Sequence, residues 1–203
     1  MIETVTDITA GWPRESRAAA RAVVETYGEP HEITTSLLTW YEVGPWKRVV
    51  VSRTCYEHNF PAPHLDVVEC VVDYRVPSSK CSAVVAFDGS VTVDRTAGEV
   101  SARCHDERAN LLALNLVHDI VMGDRDAQQA RDYYAQEFSA FRRELPAPYM
   151  ERLYFEPARS SAGDPDVAVL AEEDFECAAH EGGFADRDEY ASPMEVRQIK
   201  RRR

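Results

Sequence analysis

The chain has 203 residues, of which 44% are hydrophobic, so it is long enough for one domain with a real core and wholesale disorder is excluded. The net charge is -12 and it is unevenly spread: residues 164–195 carry -10 and residues 196–203 carry +5, which leaves -7 on residues 1–163. This acidic balance excludes a basic nucleic-acid-binding surface on the main body. The pattern predicts a single domain over 1–163, followed by a mobile acidic tail over 164–203 with a basic end.

Targeting signals and cysteine usage indicate the cellular compartment in which the protein is expected. No apolar run approaches the 18 residues of a membrane span, and the first residues lack the basic start and apolar stretch of a secretory signal. The cysteines are odd in number and form no CxxC pair, which argues against a disulfide framework and against a cysteine-only zinc site. They are Cys55, Cys70, Cys81, Cys104 and Cys177. We therefore expect a cytoplasmic protein with reduced thiols.

The first half of the chain predicts one helix followed by strands. Residues 1–11 are expected to form a loop or a loose strand. Pro13 and Gly28 bracket an amphipathic segment that ends at Tyr27, and Pro suits the first turn of a helix while Gly suits its end. Strands are then predicted at 34–42, 46–55 and 65–76, with a stiff, irregular, proline-containing loop at 56–64.

The next segment predicts a hairpin and a third short strand. Asp88-Gly89 is typical of a two-residue turn and is flanked by apolar runs at 81–87 and 90–94. For the following strand, 99–104, pairing Asp94 with Glu99 keeps the apolar residues on one face and makes 95–98 the loop. This register places two acids opposite each other, a cost that Arg95 or Arg103 could offset.

Two helices are predicted after the strands. Asp106 suits the N-cap of a helix over 107–122 that Gly123 ends, and Asp124 suits the N-cap of a second helix over 125–145. Strands joined by short turns form antiparallel sheets, and helices placed before and after them pack on the sheet. The fold class is therefore α+β, with two layers, an antiparallel sheet of about five or six strands, an N-terminal helix and two C-terminal helices.

The loop at 57–66 is the richest local cluster of metal-ligand residue types. It holds His58, His64 and Asp66 and is stiffened by two prolines, and His64-Leu65-Asp66 has the H-x-D spacing of an iron site with two histidines and one carboxylate. His105 or His118 could supply a further ligand. The sequence predicts a divalent metal here, zinc or iron. The alternative is a structural loop whose histidines hydrogen-bond to the backbone.

Two further groups of polar residues are weaker candidates. Glu107 and His118 share one side of the predicted helix over 107–122, where His118 could act as an acid or base; the alternative is a solvent-facing stripe that also includes Asn115 and Asp119. Arg95, Glu99 and Arg103 could bind an anionic ligand, or they could form an ion-pair ladder across the sheet. The adjacent pair Cys104-His105 is expected to be a poor dyad, because neighbouring strand residues point to opposite faces.

Three short runs carry a resemblance to a known group of proteins. They are 40–48 (WYEVGPWKR), 58–66 (HNFPAPHLD) and 87–90 (FDGS). On these runs the chain resembles short bacterial proteins with no assigned activity, over about residues 25–135. The resemblance implies no reaction, cofactor or catalytic residue.

The sequence favours two functions of different class. The first is an intracellular protein that binds a small molecule or a metal ion, and is an enzyme if the loop at 57–66 holds a catalytic metal. The alternative is a non-catalytic adaptor whose acidic and then basic tail contacts a protein partner. No P-loop, dinucleotide fingerprint, nucleophile elbow or HExxH motif is present to decide between them.

Overall fold

A computed structural model describes residues 5–158 and 165–171 of the chain. The chain divides into two units, Met1–Pro165 and Asp166–Arg203, and the helices and strands that the structure describes all belong to the first. In the second unit, residues 166–171 are exposed and form neither helix nor strand. The remainder of the tail predicted for 164–203 lies outside the described residues.

The described residues form five α-helices and six β-strands. In chain order they are α1 (Val5–Thr9), α2 (Arg14–Tyr27), β1 (Glu32–Ile33), β2 (Leu37–Val43), β3 (Trp46–His58), β4 (His64–Asp73), α3 (Ser78–Phe87), β5 (Val91–Asp94), β6 (Glu99–Cys104), α4 (Glu107–Met122) and α5 (Ala127–Phe141), followed by a 3-10 turn at Pro148–Met150. The sheet order is β1-β2-β3-β4-β6-β5, and all the neighbouring pairs are antiparallel. The predicted two-layer α+β class is confirmed.

The core lies between one face of the sheet and the helices. Trp40 of β2, Val49 of β3 and Cys70 of β4 are paired in register across the sheet, and all three are fully buried. Helix α4 packs against β4 and β6 and contributes a run of buried leucines, and α2 packs against β2, β3 and β4. Fully burying one such side chain contributes about 1.5–3 kcal/mol, so the packing of the helices stabilises the sheet. Among the described residues, no helix has the length and apolar character needed to cross a membrane.

The predicted ends of two helices are confirmed by their caps. Helix α2 follows Pro13 and ends at Gly28. Helix α4 begins after Asp106, whose Oδ1 accepts a hydrogen bond from the Ala109 amide at 2.9 Å, and it ends at Gly123. Gly123 has a φ of 89°, a left-handed conformation that glycine adopts without steric cost.

Two predictions made for the first half of the chain are wrong. Residues 1–11 were expected to form a loop or loose strand, but the short helix α1 occupies part of that segment. The strand at 81–87 is instead helix α3, in which Val84 and Phe87 are buried while Val85 is 60% exposed. A spacing of three between buried residues suits a helix, and a short apolar run does not distinguish helix from strand by periodicity alone.

The turn at 88–90 also differs from its prediction. Asp88-Gly89 does not close a hairpin, because the segment before it is helical. The side chain of Asp88 accepts a hydrogen bond from the Ser90 amide at 2.8 Å, and this local turn connects α3 to β5. The turn places both Asp88 and Ser90 beside the ends of β3 and β4.

Helix α5 begins and ends at different residues from those predicted. Its N-cap is Asp126, which forms a reciprocal capping box with Gln129. Asp124, the predicted cap, instead donates its amide to the carbonyl of Asp119 at the end of α4. The capping box satisfies two backbone donors, so it outweighs the single bond that Asp124 would provide.

The predicted register of β5 and β6 is confirmed, and one of its paired acids, Glu99, binds two cations that were not predicted. Asp94 pairs with Glu99, and 95–98 is the loop between the strands. The carboxylate of Glu99 lies 2.8 Å from Lys47 Nζ and 3.0 Å from Arg48 Nη2, both on β3. Arg95 and Arg103 were expected in this role. The cations come from a strand two positions away in the sheet, which local sequence does not show.

Candidate metal centre

The site forms where three antiparallel strands meet at one end of the sheet. Strand β3 continues to His58 and β4 begins at His64, so the predicted loop at 56–64 is reduced to a turn at 59–63. His58 pairs with His64 in register, and the last residue of β6, Cys104, pairs with Val68 of β4. The strand order therefore brings the Pro-rich turn and the end of β6 together, although about 40 residues separate them.

Three ligand atoms converge at this position. Cys104 Sγ lies 3.2 Å from His64 Nε2 and 3.3 Å from His105 Nδ1. The ligand atoms of all three residues lie within 4.8 Å of one another. We call His64, Cys104 and His105 the Cys-His cluster. Cys104 is 5% exposed, whereas the two histidines are partly exposed.

The far nitrogen of each histidine in the cluster faces an oxygen. His64 Nδ1 lies 2.8 Å from the carbonyl oxygen of Ala62, so that nitrogen carries the hydrogen and donates it. His105 Nε2 lies 3.4 Å from the carboxylate of Asp106. Both arrangements leave the opposite nitrogen turned toward Cys104. Metal-ligating histidines are oriented in this way, by an oxygen acceptor on the ring nitrogen that does not bind the metal.

Asp66 supplies a buried carboxylate beside the cluster. Its side chain is 0% exposed, and its Oδ2 accepts a short hydrogen bond from Ser90 Oγ. Its Oδ1 lies 2.9 Å from His64 Nε2 yet accepts no hydrogen bond of ordinary geometry within the described part of the chain. The His64 ring therefore lies between the buried carboxylate and Cys104, because its Nε2 also faces Cys104 Sγ at 3.2 Å.

His58 lies behind Asp66 and completes a second group. His58, His64 and Asp66 each offer a ligand atom within 4.8 Å of the others, so His64 is common to both groups. His58 Nδ1 is 3.5 Å from Asp66 Oδ2, and its Nε2 is 3.5 Å from Asp88 Oδ1. Burial raises the pKa of Asp88. His58 thus bridges two buried carboxylates at distances longer than a direct hydrogen bond.

The cluster has strongly displaced proton affinities. The contacts of His64 with Asp66 and then with Cys104 raise its pKa to about 11. Burial alone would raise the pKa of the Cys104 thiol, but the hydrogen bonds from His105 and His64 outweigh burial, so that pKa lies below its ordinary value. The Cys104 contact also raises the pKa of His105. Cys104 therefore loses its proton more readily than an ordinary cysteine, and the thiolate is the form that binds metals and attacks electrophiles.

Aromatic packing holds the turn at 59–63 in place. The ring of Phe60 lies 5.0 Å from that of Tyr134 on α5, and the guanidinium of Arg131 lies 3.9 Å above the same ring. Arg131 Nη1 also donates to the carbonyl of Phe87 at 2.7 Å, which ties α5 to the end of α3. Because the turn is packed on two helices, His64 is held before any ligand binds.

The structure places the four residues that the sequence predicted as ligands in two groups that share His64, with His58 and Asp66 in one and His105 in the other. The sequence missed Cys104. The expectation that Cys104 and His105 point apart is wrong, because β6 ends at Cys104 and His105 belongs to the turn before α4. Strand alternation does not extend past the last strand residue. The adjacency of the two residues in the sequence was the signal that could have identified the site.

The two weak catalytic candidates on α4 have separate partners. Glu107 Oε1 accepts hydrogen bonds from Tyr27 at 2.5 Å and from Trp46 at 2.7 Å. His118 Nδ1 lies 2.8 Å from the hydroxyl of Tyr74, and its ring stacks on Phe155. The structure does not bring Glu107 and His118 together. The stripe that also includes Asn115 and Asp119 is covered by residues 149–154, since both side chains are buried and bonded to that segment.

Two of the three residues suggested for anion binding have separate partners. Glu99 is bound to Lys47 and Arg48, and the guanidinium of Arg103 lies 4.2 Å above the ring of Tyr56. Arg95 lies in the loop between β5 and β6. For Glu99 the observed contacts correspond to an ion-pair ladder.

Comparison of the chain with protein-family models, with curated proteins and with solved structures gives no match in any of the three. The resemblance to short bacterial proteins therefore remains a prediction, and the function has to be argued from the geometry of the site.

Proposed function

We propose that the protein binds one Zn²⁺ ion through His64, Cys104 and His105. The observation that carries the proposal is the convergence of the His64 and His105 nitrogens on Cys104 Sγ, with the far nitrogen of each ring facing an oxygen. A sulfur and two imidazole nitrogens form a donor set that zinc favours. The Cys104–His64 and Cys104–His105 contacts would then each join two ligands of the same ion.

The distances within the cluster support this assignment. Zinc binds nitrogen at about 2.0 Å and sulfur at about 2.3 Å, so the nitrogen and sulfur ligands of a tetrahedral ion are separated by about 3.5 Å. The separations of 3.2 Å and 3.3 Å are slightly shorter than this. A shift of a few tenths of an ångström would accommodate the ion, which requires no rearrangement of the backbone.

Zinc is favoured over the iron site that the H-x-D spacing suggested. An iron site of that type uses two histidines and a carboxylate, and the group of His58, His64 and Asp66 would supply it. However, His64 Nε2 also faces Cys104 Sγ. A ligand set that includes a thiolate favours zinc, whereas the iron site uses imidazole and carboxylate ligands alone. Asp66 would then lie beside the ion, with its Oδ1 2.9 Å from the ligating nitrogen of His64.

Metal content and cobalt spectroscopy test the proposal. Protein purified without a histidine tag is expected to hold about one zinc ion per chain by elemental analysis, and cobalt in its place is expected to give a thiolate-to-metal charge-transfer band. His64→Ala and Cys104→Ala should each reduce the bound metal to near zero. His31→Ala and Cys81→Ser are matched controls, because both residues lie outside the two candidate groups.

Two outcomes would contradict the proposal. One is zinc-free protein that takes up no cobalt. The other is a cobalt spectrum that lacks the charge-transfer band in the wild type, or retains it in Cys104→Ala, because the thiolate would then not be a ligand. Equal loss of metal in the control variants would show that the ion binds elsewhere.

A cysteine nucleophile is a second candidate, supported by one specific observation. Cys104 Sγ lies 3.2 Å from His64 Nε2, and the Ala62 carbonyl orients the same ring from its other nitrogen. This arrangement of nucleophile, base and orienting group is also found in cysteine enzymes. Alkylation of Cys104 by iodoacetamide separates the two candidates. The metal proposal predicts that zinc protects the thiol, whereas a nucleophile without metal reacts equally fast with and without zinc.

The adaptor alternative concerns the tail over 164–203. The structure describes only residues 165–171 of it, and they are exposed. Partner binding by the tail therefore stays a prediction, to be tested by deleting 164–203 and comparing the proteins captured from the native host.

A further inference from the structure

Cys104 differs from the other described cysteines in what its sulfur contacts. Its Sγ lies 3.2 Å from His64 Nε2 and 3.3 Å from His105 Nδ1, so two imidazole rings face it. The sulfurs of the other described cysteines are hydrogen-bonded to neutral groups. These groups are the Ser16 hydroxyl at Cys55, the Asn110 amide at Cys70 and the Pro77 carbonyl at Cys81. Histidine beside a sulfur stabilises the thiolate, so the surroundings of Cys104 favour reaction with an electrophile.

Exposure to solvent gives the opposite order of reactivity. Cys104 is 5% exposed, whereas Cys55 and Cys81 are partly exposed. Cys70 is fully buried and is hydrogen-bonded to an amide, so it shares the burial of Cys104 without its imidazole neighbours. If access to solvent decided which thiol reacts, Cys55 and Cys81 would react before Cys104. The described cysteines therefore separate the effect of surroundings from the effect of access.

The position of Cys104 favours a small reagent. His64 and His105 line a cleft of about 560 Å³, and Cys104, which is in contact with both rings, does not line it. The hydroxyl of the buried Tyr134 lies 4.0 Å from the same sulfur. Little of the sulfur is therefore accessible, and a bulky reagent approaches it less easily than one close to water in size. Hydrogen peroxide is a small electrophile that oxidises thiolates.

We propose that Cys104 is a modification site, at which a small hydroperoxide oxidises the thiolate to a sulfenic acid. The sulfur attacks one peroxide oxygen, the O–O bond breaks and an S–O bond forms, so sulfur is oxidised by two electrons and the peroxide is reduced. With hydrogen peroxide the products are Cys-SOH and hydroxide, and the hydroxide takes a proton from water. The juxtaposition that carries the proposal is one buried sulfur in contact with two imidazole nitrogens.

The modification is reversible by an added thiol. None of the other described cysteines lies within hydrogen-bonding distance of Cys104 Sγ, whose neighbours at that distance are His64, His105 and Tyr134. The reducing thiol therefore comes from solution. One thiol attacks the sulfenic sulfur, water leaves and a mixed disulfide forms. A second thiol then releases Cys104 and is itself oxidised to the disulfide.

The modification also regulates the proposed zinc site, and this part of the inference rests on the proposed function. Coordination engages the electrons of the sulfur, so zinc slows the oxidation, in agreement with the protection expected against alkylation. The sulfenic sulfur no longer carries the negative charge of a thiolate and is a weaker ligand. The ion then keeps only His64 and His105. Oxidation is therefore expected to release zinc, and reduction is expected to restore its binding.

Mass spectrometry of the full chain, resolved to single cysteines, tests the modification. Metal-free protein is treated with hydrogen peroxide in the presence of dimedone, which traps sulfenic acids. Cys104 is expected to be labelled about tenfold faster than Cys55 or Cys81, because an ordinary thiol is only a few per cent thiolate at neutral pH. With the bulkier tert-butyl hydroperoxide this preference should shrink. Cys70 should stay unlabelled with both reagents.

His105→Gln is the informative variant, because it removes one imidazole from the sulfur at a partly exposed position. It should slow the labelling of Cys104 several-fold and leave the labelling of Cys55 and Cys81 unchanged. His31→Gln, at an exposed position outside both candidate metal groups, is the matched control and should behave as wild type. In zinc-loaded wild type, peroxide should release about one zinc ion per chain to a zinc-sensitive dye, and dithiothreitol should restore binding.

The outcomes distinguish failure of this inference from failure of the zinc site. Labelling of Cys55 or Cys81 before Cys104 in a chain that holds zinc overturns the modification site and leaves the metal site standing. An unchanged rate in His105→Gln also overturns it. Preferred oxidation of Cys104 in a chain that binds no zinc supports the modification site and overturns the proposed function. Oxidised Cys104 with zinc still fully bound overturns both the release of zinc and the ligand role of the thiolate.

Discussion

Two polar clusters lie near the start of α4, and they differ in whether their members are satisfied. Glu107 Oε1 accepts two short hydrogen bonds, from the hydroxyl of Tyr27 and the indole of Trp46, and so joins α2, β3 and α4. In the second cluster, His64 Nε2 faces both Asp66 Oδ1 and Cys104 Sγ, and Asp66 Oδ1 accepts no ordinary hydrogen bond from the described residues. One cluster is closed and the other is open.

The difference separates a structural role from a functional one. Buried polar groups are nearly always hydrogen-bonded, because an unsatisfied one costs about 1–3 kcal/mol. The Glu107 group obeys this rule and needs nothing more. The open cluster departs from it at Asp66 Oδ1, which lies 2.9 Å from the His64 ring but accepts no hydrogen bond of ordinary geometry from the described residues. Departures of this kind are expected at binding sites.

The largest expected effect comes from adding zinc to the open cluster. An ion that binds only the folded chain stabilises it, so zinc at about 1,000 times its dissociation constant should raise the free energy of unfolding by about 4 kcal/mol. Urea denaturation of metal-free and zinc-loaded protein measures this difference. Cys104→Ala should lose the zinc-dependent gain, and Cys81→Ala should keep it. A gain of equal size in both variants would place the stabilising ion outside the cluster.

Removing the acceptor of the closed cluster should have the next largest effect, on stability alone. Glu107→Ala leaves the Tyr27 hydroxyl and the Trp46 N–H without their acceptor, and we expect a loss of about 2–4 kcal/mol in unfolding free energy. Glu107→Gln retains an acceptor oxygen and should lose less. Zinc content should be unchanged in both. A fall in the zinc content of folded Glu107→Gln would show that the two clusters are not independent.

The sequence predicted the composition of the open cluster better than its geometry. His58, His64, Asp66 and His105 could be proposed as ligands because a proline-stiffened turn and a histidine beside a helix cap are local features. Cys104 adjoins His105 in the sequence, but its contact with His64 depends on β6 lying next to β4, which the sequence does not show. That neighbourhood follows from the sheet order, and the segment predicted as the strand before β5 is in fact helix α3.

Helix ends show the same division between local and non-local information. Asp106 and Gly123 bound α4 as predicted, because caps act through bonds to neighbouring residues. Glu107 was a catalytic candidate by its position on the helix, and only packing reveals that Tyr27 and Trp46 occupy its carboxylate. A polar residue on a helix cannot be assigned a role until the partners supplied by distant segments are known.

Asp106 connects the helix cap with the metal site, and a substitution can separate its two roles. One oxygen caps α4 through the Ala109 amide, and the other lies 3.4 Å from His105 Nε2. Asp106→Ser keeps a good N-cap and removes the carboxylate beside the ring. We expect zinc affinity to fall about tenfold, as for other outer partners of metal-bound histidines, with little change in the stability of the metal-free protein. Competition with a chelator measures the affinity. Asp126→Ser, at the cap of α5, is the control and should not change it.

Breaking the ion-pair ladder between β3 and β6 should have the smallest effect on stability. Its charged groups are paired with one another but remain partly exposed to solvent. Partial burial would raise the pKa of Glu99, but the hydrogen bonds from Lys47 and Arg48 outweigh burial, so the pKa lies below its ordinary value. A depressed pKa means that the folded state binds the proton less tightly than the unfolded state. The stabilisation is therefore present above the unfolded pKa of about 4.3 and is lost as pH falls through the folded value.

Glu99→Gln should accordingly cost less than about 1 kcal/mol at neutral pH, since exposed ion pairs are weak and screened by salt. The difference from wild type should shrink as pH falls below about 4. Urea denaturation of both proteins at several pH values, in low salt and in about 1 M salt, measures it. A difference that grows at low pH would reverse the sign of the argument. A difference as large as that of Glu107→Ala would show that the ion-pair ladder is as well shielded from water as the hydrogen bonds from Tyr27 and Trp46 to Glu107.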